Sequence, residues 1–388
     1  MPARITHLRG WFSKKGRREK PSSAAGRKAV MKVLLITGSF PPMKCGVGDY
    51  TACLAAALSN RDGMSVAVLT DVRADPLRAD YNFEIFPVIQ DWTLINLPEA
   101  LKTIKRWKPD VVHFQYPTQG YGNGWLPGIL PLLCIPLNAT IVQTWHEYCP
   151  ARPNENLLLA TTPGGLIAVR PGYKEKMPLW MRWLTKHKEF RYIPNASSIP
   201  AATLSDAERL AIRERYLSSE KRLIAFFGFI YPHKQVELLF EIADPATDHI
   251  VLIGDLDMND PYHKSLMKKT ERAPWAGHVT VTGFMPPTEA ARLLSAADAV
   301  VLPFQGGGGL WNTSLHSAAM QGTFVLTTSF DRQGYNSTEN IYYAKPCDVE
   351  QMRSSLQNYA GRKIDLPQLP DWDFISKAHV QLYSFLAG

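Results

Sequence analysis

From Lys32 onward the chain alternates short, unbroken apolar runs with longer stretches whose apolar residues recur at helical spacing. "KVLLITG", "SVAVLTD", "DVVHFQY", "TIVQTWH", "LIAVR" and "RYIPN" read as strands, and "YTACLAAALSN" and "LPEALKTIKRW" between them as helices. Such alternation predicts a parallel sheet covered by helices on both faces. After a hinge near residues 196–205 the pattern restarts, with strands at "RLIAFFG", "HIVLIGD", "VTVTG", "AVVLPF" and "FVLTT". Helices are expected there at "QVELLFEIA", "TEAARLLSAA" and "SLHSAAMQ", and "WDFISKAHVQLYSFL" closes the chain. The expectation is an α/β protein of two Rossmann-like domains, 31–196 and 197–370, with a final helical segment at 371–388. Ligands in such sheets bind at the carboxyl ends of the strands.

Composition sharpens this picture in two places. Hydrophobic residues make up 45% and charged residues 20%, the profile of a globular chain without a disordered bulk. The net charge of +8 is concentrated in residues 1–30, which hold nine Lys/Arg against one acid, Glu19; the remainder carries bases and acids in equal number. A basic arm on a neutral body argues against a nucleic-acid binder. Ile5, Leu8 and Phe12 stand at helical spacing in that arm, beside Trp11, as in a short interfacial helix followed by a polybasic segment; a solvated tail is the competing reading. The arm lacks the apolar core of a secretory signal, and no run of 18 apolar residues predicts a membrane span. Five scattered cysteines match neither a disulfide framework nor a zinc site, and point to a reducing cytoplasm.

Candidate chemistry gathers at the strand ends. In "GSFPPMKCGVGDYT", Gly46 and Gly48 permit a close backbone approach just before a helix, where free amides favour an anion. The spacing is not that of a dinucleotide fingerprint, which disfavours a dehydrogenase. His113, Gln115 and Tyr116 end one strand and His146 the next, where a cleft would lie on the side of the first domain. An imidazole there can donate to charge developing on a leaving phosphate. Lys234 falls at the start of the helix after "FFGFIYPH", where a cation is disfavoured unless a ligand phosphate compensates. Asp255 and Asp257 form an Asp-x-Asp, but turn formation and capping account for them, and no metal is expected. The run "QGGGGLWNTSL" brings Gly308, Gly309, Asn312, Thr313 and Ser314 to a helix start. Its glycine amides and hydroxyls suit a diphosphate, with Lys234 supplying charge from another loop.

Taken in order, "FPPMKCGVGDYT", "KPDVVHFQYPTQGYG", "VQTWHEY", "IPNASSIP", "FGFIYPHKQVELL", "VTGFMPPTEAARLLSAADAVVLPF" and "HSAAMQGTFVLTT" resemble a family 4 (group 1) GT-B glycosyltransferase from about Lys32 to the C-terminus. The resemblance implies two facing Rossmann-like domains with a cleft between them, and a closing helix returning to the first. It implies transfer of a sugar with retention, from a nucleoside-diphosphate sugar in the second domain to an acceptor in the first, usually without metal or other cofactor. It further implies that His146 stands near the scissile bond and that Lys234 neutralises the diphosphate. Gly46 and Gly48 would approach the donor phosphates, and Gly283, Phe284 and Ser317 the nucleoside.

The chain departs from the family at definite positions. Phe229 stands where the family has an arginine, and Gly309 and Ser317 where it has a Glu-x7-Glu pair. The acceptor is expected to be a carbohydrate or a lipid-linked glycan, in cell-surface polysaccharide or glycoconjugate synthesis. Two rivals stay open: a non-catalytic GT-B subunit that binds a partner transferase or a glycan, and a nucleotide-sugar epimerase. A second basic stretch at 174–191 sets Leu179, Trp180, Trp183 and Leu184 in one helical stripe flanked by Lys174, Lys176, Arg182, Lys186, Lys188 and Arg191. With the arm, it suggests a cytoplasmic enzyme peripheral on the inner face of an anionic membrane; a helix packing its tryptophans inward is the alternative.

Overall fold

The computed structural model describes residues 30–147, 152–217 and 221–388, so apart from Val30 the basic arm lies outside the described residues. The chain divides into two compact units, one formed by the stretch up to Pro194 with Pro370–Gly388, the other by Asn195–Leu369.

The first unit carries strands β1 (Met31–Ile36), β2 (Met64–Asp71), β3 (Glu84–Ile89), β4 (Val111–Tyr116), β5 (Thr140–Trp145), β6 (Gly165–Ala168) and β7 (Glu189–Tyr192). They form one parallel sheet in the order β3-β2-β1-β4-β5-β6-β7. Its helices are α1 (Gly46–Ser59), α2 (Leu97–Trp107), α3 (Leu126–Cys134), α4 (Pro153–Thr161), α5 (Tyr173–Lys176) and α6 (Leu179–Leu184). β3, "EIFPVI", was not among the expected strands because Pro87 interrupts it; as the edge strand it tolerates the missing donor. The expected stripe of Leu179, Trp180, Trp183 and Leu184 lies on α6, while Lys174 and Lys176 belong to the separate α5, which ends at Lys176 because Met177 before Pro178 is extended.

The second unit repeats the scheme with α7 (Asp206–Arg213), β8 (Arg222–Phe227), α8 (Leu239–Ile242), β9 (Asp248–Ile253), α9 (Pro261–Thr270), β10 (Val279–Val281), α10 (Pro287–Ala296), β11 (Ala299–Leu302), α11 (Thr313–Ala319), β12 (Val325–Thr328), β13 (Gly334–Asn336), β14 (Ile341–Ala344) and α12 (Val349–Tyr359). The strand order is β10-β9-β8-β11-β12-β14-β13. All neighbours run parallel except the unexpected edge pair β13 and β14, which is antiparallel. β9 and β11 are buried along their whole length, as strands covered on both faces must be. α13 (Trp372–Ala387) completes the first unit, packing on α1 and β5 with Ile375, Leu382 and Tyr383 buried. Both units are therefore parallel-sheet Rossmann-like domains.

Candidate functional site

Side chains alternate along a strand, so β4 and β5 present two distinct faces at their carboxyl ends. His113 and Gln115 of β4 share a face with Thr144 and with His146, which follows β5; Tyr116, Gln143 and Trp145 point the other way. On the first face the polar groups join in a chain. Tyr383 of α13 meets His113 Nδ1 at 2.6 Å, and Thr144 Oγ1 meets His113 Nε2 at 2.7 Å. Gln115 reaches His113 Nε2 through its amide nitrogen at 3.3 Å and His146 Nε2 through its amide oxygen at 3.0 Å. In this arrangement His146 Nε2–H donates to Gln115. Thr144 and Gln115 donate to His113 Nε2, and His113 Nδ1–H donates to Tyr383.

This geometry corrects two expectations. His113, Gln115 and Tyr116 are at most 1% exposed, so they do not face an acceptor. They are the support behind the site: a strand inside a doubly covered sheet is buried even near its end. The Tyr116 hydroxyl donates to Asn156 Oδ1 at 3.0 Å on the opposite face. The second correction concerns His146. Burial, with Arg170 and His379 adding repulsion, lowers its pKa to about 3, so the ring is neutral at ordinary pH and its one N–H is held by Gln115. Among the described residues no group bonds its Nδ1, which is therefore an acceptor and cannot donate to a phosphate. The Tyr50 ring of α1 stands edge-on to it, centroids 4.7 Å apart.

α1 begins at Gly46 with no side-chain cap at Cys45, leaving its first amides outward as expected of an anion-tolerant turn. A Cβ on Gly48 would lie 3.0 Å from the Ser39 carbonyl oxygen, so this glycine lets the helix start pack on the preceding loop; Gly46 has open space instead.

In the second unit three elements converge after β8. Gly228 has φ +120°, and a methyl built on it would lie 3.3 Å from Ser314 Cβ, 3.4 Å from Lys234 Nζ and 3.8 Å from Ser314 Oγ. The ammonium of one loop and the hydroxyl at the start of α11 thus both approach Gly228, where a side chain would crowd them. Gly228 was not singled out in the sequence; its only signal was its place directly after a strand. Lys234 does not begin a helix: it ends a single 3-10 turn, Pro232–Lys234, and Gln235 next to it is left-handed at φ 48°.

The glycine run works differently from the expectation. The amide of Gly308 donates to the Thr328 carbonyl at 2.7 Å, and that of Gly309 to Asn312 Oδ1 at 3.0 Å. Both are committed within the protein, so they are not the phosphate cradle. The absence of side chains here lets the Phe304 and Trp311 rings lie against the backbone. Because the Asn312 side chain turns back to Gly309, it does not cap α11. The first-turn amides of Thr313, Ser314 and Leu315 have no partner inside the helix. Thr313 Oγ1 accepts from Asn195 Nδ2 at 3.0 Å, which leaves Ser314 as the hydroxyl beside Lys234.

Ser317 is also corrected. It is fully buried, and its hydroxyl bonds Ser197 Oγ at 2.9 Å and the Ser198 amide at 3.3 Å, so it ties the 195–199 segment to α11 and has no surface for a nucleoside. Gly283 keeps open space around it at φ +67°, and the exposed Phe284 meets Phe229 edge-on at 5.9 Å. Phe229 therefore puts an aromatic face where an arginine was expected. Asp257 Oδ1 accepts from the Asn259 amide at 2.9 Å and Asp260 caps α9, so this acidic stretch is built as a turn and a helix start.

No curated protein sequence matches the chain. Among solved structures it resembles HepE from Anabaena in complex with UDP and glucose, at TM-score 0.69 and 15% identity, covering 92% of this chain and 100% of that one. Sucrose-phosphate synthase from Thermosynechococcus elongatus aligns at TM-score 0.68 and 18% identity, over 92% and 99%. The catalytic domain of starch synthase IV from Arabidopsis thaliana bound to ADP and acarbose aligns at 0.67 and 14%, over 93% and 100%. At these identities the likeness is one of fold. Residues 221–360 match the family described as "Glycosyl transferases group 1". Residues 221–360 of the second unit thus form a group 1 glycosyltransferase domain, and the chain as a whole has the GT-B fold of two Rossmann-like units.

Proposed function

We propose that the protein moves a sugar from a nucleoside-diphosphate sugar to a hydroxyl of a carbohydrate or lipid-linked glycan, with retention at the anomeric carbon. The observation that carries the donor part is the approach of Lys234 Nζ and Ser314 Oγ to Gly228, which has no side chain between them. A cation and a hydroxyl at the start of a helix form a donor-rich environment for a diphosphate, and they strengthen their hold as negative charge grows on the departing group. Phe284 and Phe229 offer aromatic faces to the base. HepE and starch synthase IV carry UDP and ADP, members of the same ligand class.

Retention rests on the resemblance to the family, and the family's acidic positions here exclude one way of achieving it. Gly309 and Ser317 provide no carboxylate to form a covalent sugar intermediate. The route compatible with retention then keeps both partners on one face of the sugar. The acceptor oxygen bonds to the anomeric carbon as the bond to the phosphate oxygen breaks, and the acceptor proton passes to that leaving oxygen. Lys234 and Ser314 stabilise the diphosphate through this step. His146, neutral and with Nδ1 as acceptor, is suited to a substrate hydroxyl.

Calorimetric titration with UDP, GDP, ADP and dTDP tests the reading. One nucleotide should bind, and Lys234→Ala should weaken it by about 1 kcal/mol or more. No binding by any of them would favour the non-catalytic subunit. The anomeric configuration of the product, read by NMR, tests retention separately.

A further inference from the structure

We propose that the α5–α6 corner of the first unit is a docking surface for an anionic lipid bilayer. α6 is anchored from beneath by Met181, which is fully buried, while Met177 is buried just before it. On its outer side it presents Leu179 at 74% exposure, Trp180 at 41% and Trp183 at 64%. Two tryptophans and a leucine within five residues are therefore turned outward, and the inward-packing alternative for this stripe does not hold. α4, which packs against α6, adds the exposed Leu157.

The surrounding charge is one-sided. Lys174, Lys176 and Lys186 are exposed and Arg182 partly so, against Glu175 as the one acid between residues 174 and 186. Lys186 Nζ stands 5.1 Å from the centre of the Trp183 ring, and Lys174 Nζ 5.4 Å from that of Phe190. Aromatic rings with ammonium groups at the same level are what a headgroup layer accommodates: rings at the acyl boundary, cations among the phosphates. Lys188 drops out of the basic set, because it is buried and burial lowers its pKa to about 7. No described helix is long and apolar enough to cross a membrane, so this contact is with the surface.

The position of the corner gives the contact a use. The chain reaches α5 from the carboxyl end of β6, and Ala168 at that end pairs with Trp145, the residue before His146. A bilayer held at this corner lies beside the strand ends that carry His146. The inference rests on the glycosyl-transfer reading for its use but not for its test.

The test is co-sedimentation of the full chain with phosphatidylcholine vesicles, with and without about 30% phosphatidylserine. The wild type should bind the anionic vesicles at least about tenfold more tightly than the neutral ones. The double variant Trp180→Ser/Trp183→Ser should lose about tenfold or more of that binding, and Lys174→Glu/Lys176→Glu should lose its anionic preference. Both variants change exposed side chains and should bind nucleotide as the wild type does, which separates this outcome from failure of the donor site. Should the double variant fold poorly, Leu179→Ser serves in its place. Deleting residues 1–29 shows whether the arm alone accounts for binding. Equal binding to both vesicles, no binding, or binding that the arm deletion abolishes and the tryptophan variant leaves intact would each overturn the proposal. A concentration-dependent dimer lost on Trp180→Ser/Trp183→Ser would assign the surface to a second copy and overturn it as well.

Discussion

Gln115 Oε1 lies 3.0 Å from His146 Nε2, and this contact fixes which nitrogen of the partly open imidazole is available. The proton is on the Gln115 side and the lone pair faces away. Behind it, His113 and Tyr383 hold the amide in place, so the orientation of His146 depends on α13 as well as on β4 and β5.

Replacing that amide should change how the enzyme responds to pH. With a pKa of about 3, His146 adds no titration to the wild-type rate at neutral pH. In Gln115→Glu a carboxylate beside the ring favours the imidazolium, so nucleotide release from the donor should acquire a new limb at higher pH. Gln115→Leu leaves the His146 N–H unpaired and should lower the rate about tenfold with no new limb. A flat profile in Gln115→Glu would sever the two residues.

At Gly228 the expected effect is both local strain and lost ligand. Alanine at φ +120° costs about 1–3 kcal/mol of stability. Its methyl also enters the space bounded by Lys234 Nζ and Ser314 Oγ. Gly228→Ala should therefore lower the urea midpoint and weaken nucleotide binding together; unaltered nucleotide affinity would place the diphosphate elsewhere.

Ser317→Ala separates structure from recognition. Its hydroxyl holds Ser197 and Ser198, so the variant should lose about 1–2 kcal/mol of stability while the folded protein keeps its nucleotide affinity within about twofold. A large loss of affinity at unchanged stability would return Ser317 to the nucleoside site.

Three imidazoles, His113 and His379 buried and His146 partly so, set an acid limit on the fold. Burial keeps His113 well below its ordinary value, His379 at about 4 and His146 at about 3, whereas the unfolded chain titrates near 6.5. Below that pH the unfolded state binds protons that the folded state refuses, so stability falls as pH drops towards 4 and is level above about 7. The slope should be about 1 kcal/mol per pH unit for each histidine. Urea midpoints between pH 5 and 8 should show it, and His379→Gln should remove about one third of it.

How much of this was legible in the sequence follows from what each signal encodes. Unbroken apolar runs marked most strands because a doubly covered strand must be apolar throughout. They could not mark β3, interrupted by Pro87, or the three-residue β13, both of which are edges. The same double covering hid the burial of His113, Gln115 and Tyr116, because alternation tells which residues share a face and not how deep that face lies. The glycines of the 306–309 run were visible, but the commitment of their amides to Thr328 and Asn312 arises from distant or folded-back partners. Lys234 was visible as a charge in a conflicting place. Its neighbour across space, Gly228, was not, because only the fold brings the two loops together.

α13 has a consequence for the order in which the protein is made. Residues 30–194 leave the ribosome before the second unit, yet their sheet is completed by Ile375, Leu382 and Tyr383, which are synthesised after it. Translation of Asn195–Leu369 must finish before that segment emerges, and this second unit can fold in the meantime. Until then the side of β5 that receives α13 stays uncovered in the nascent chain, and His113 Nδ1–H lacks its Tyr383 hydroxyl acceptor. The unit that is synthesised before the other is thus completed after it, and its exposed sheet is where a ribosome-associated chaperone would find an apolar surface to hold.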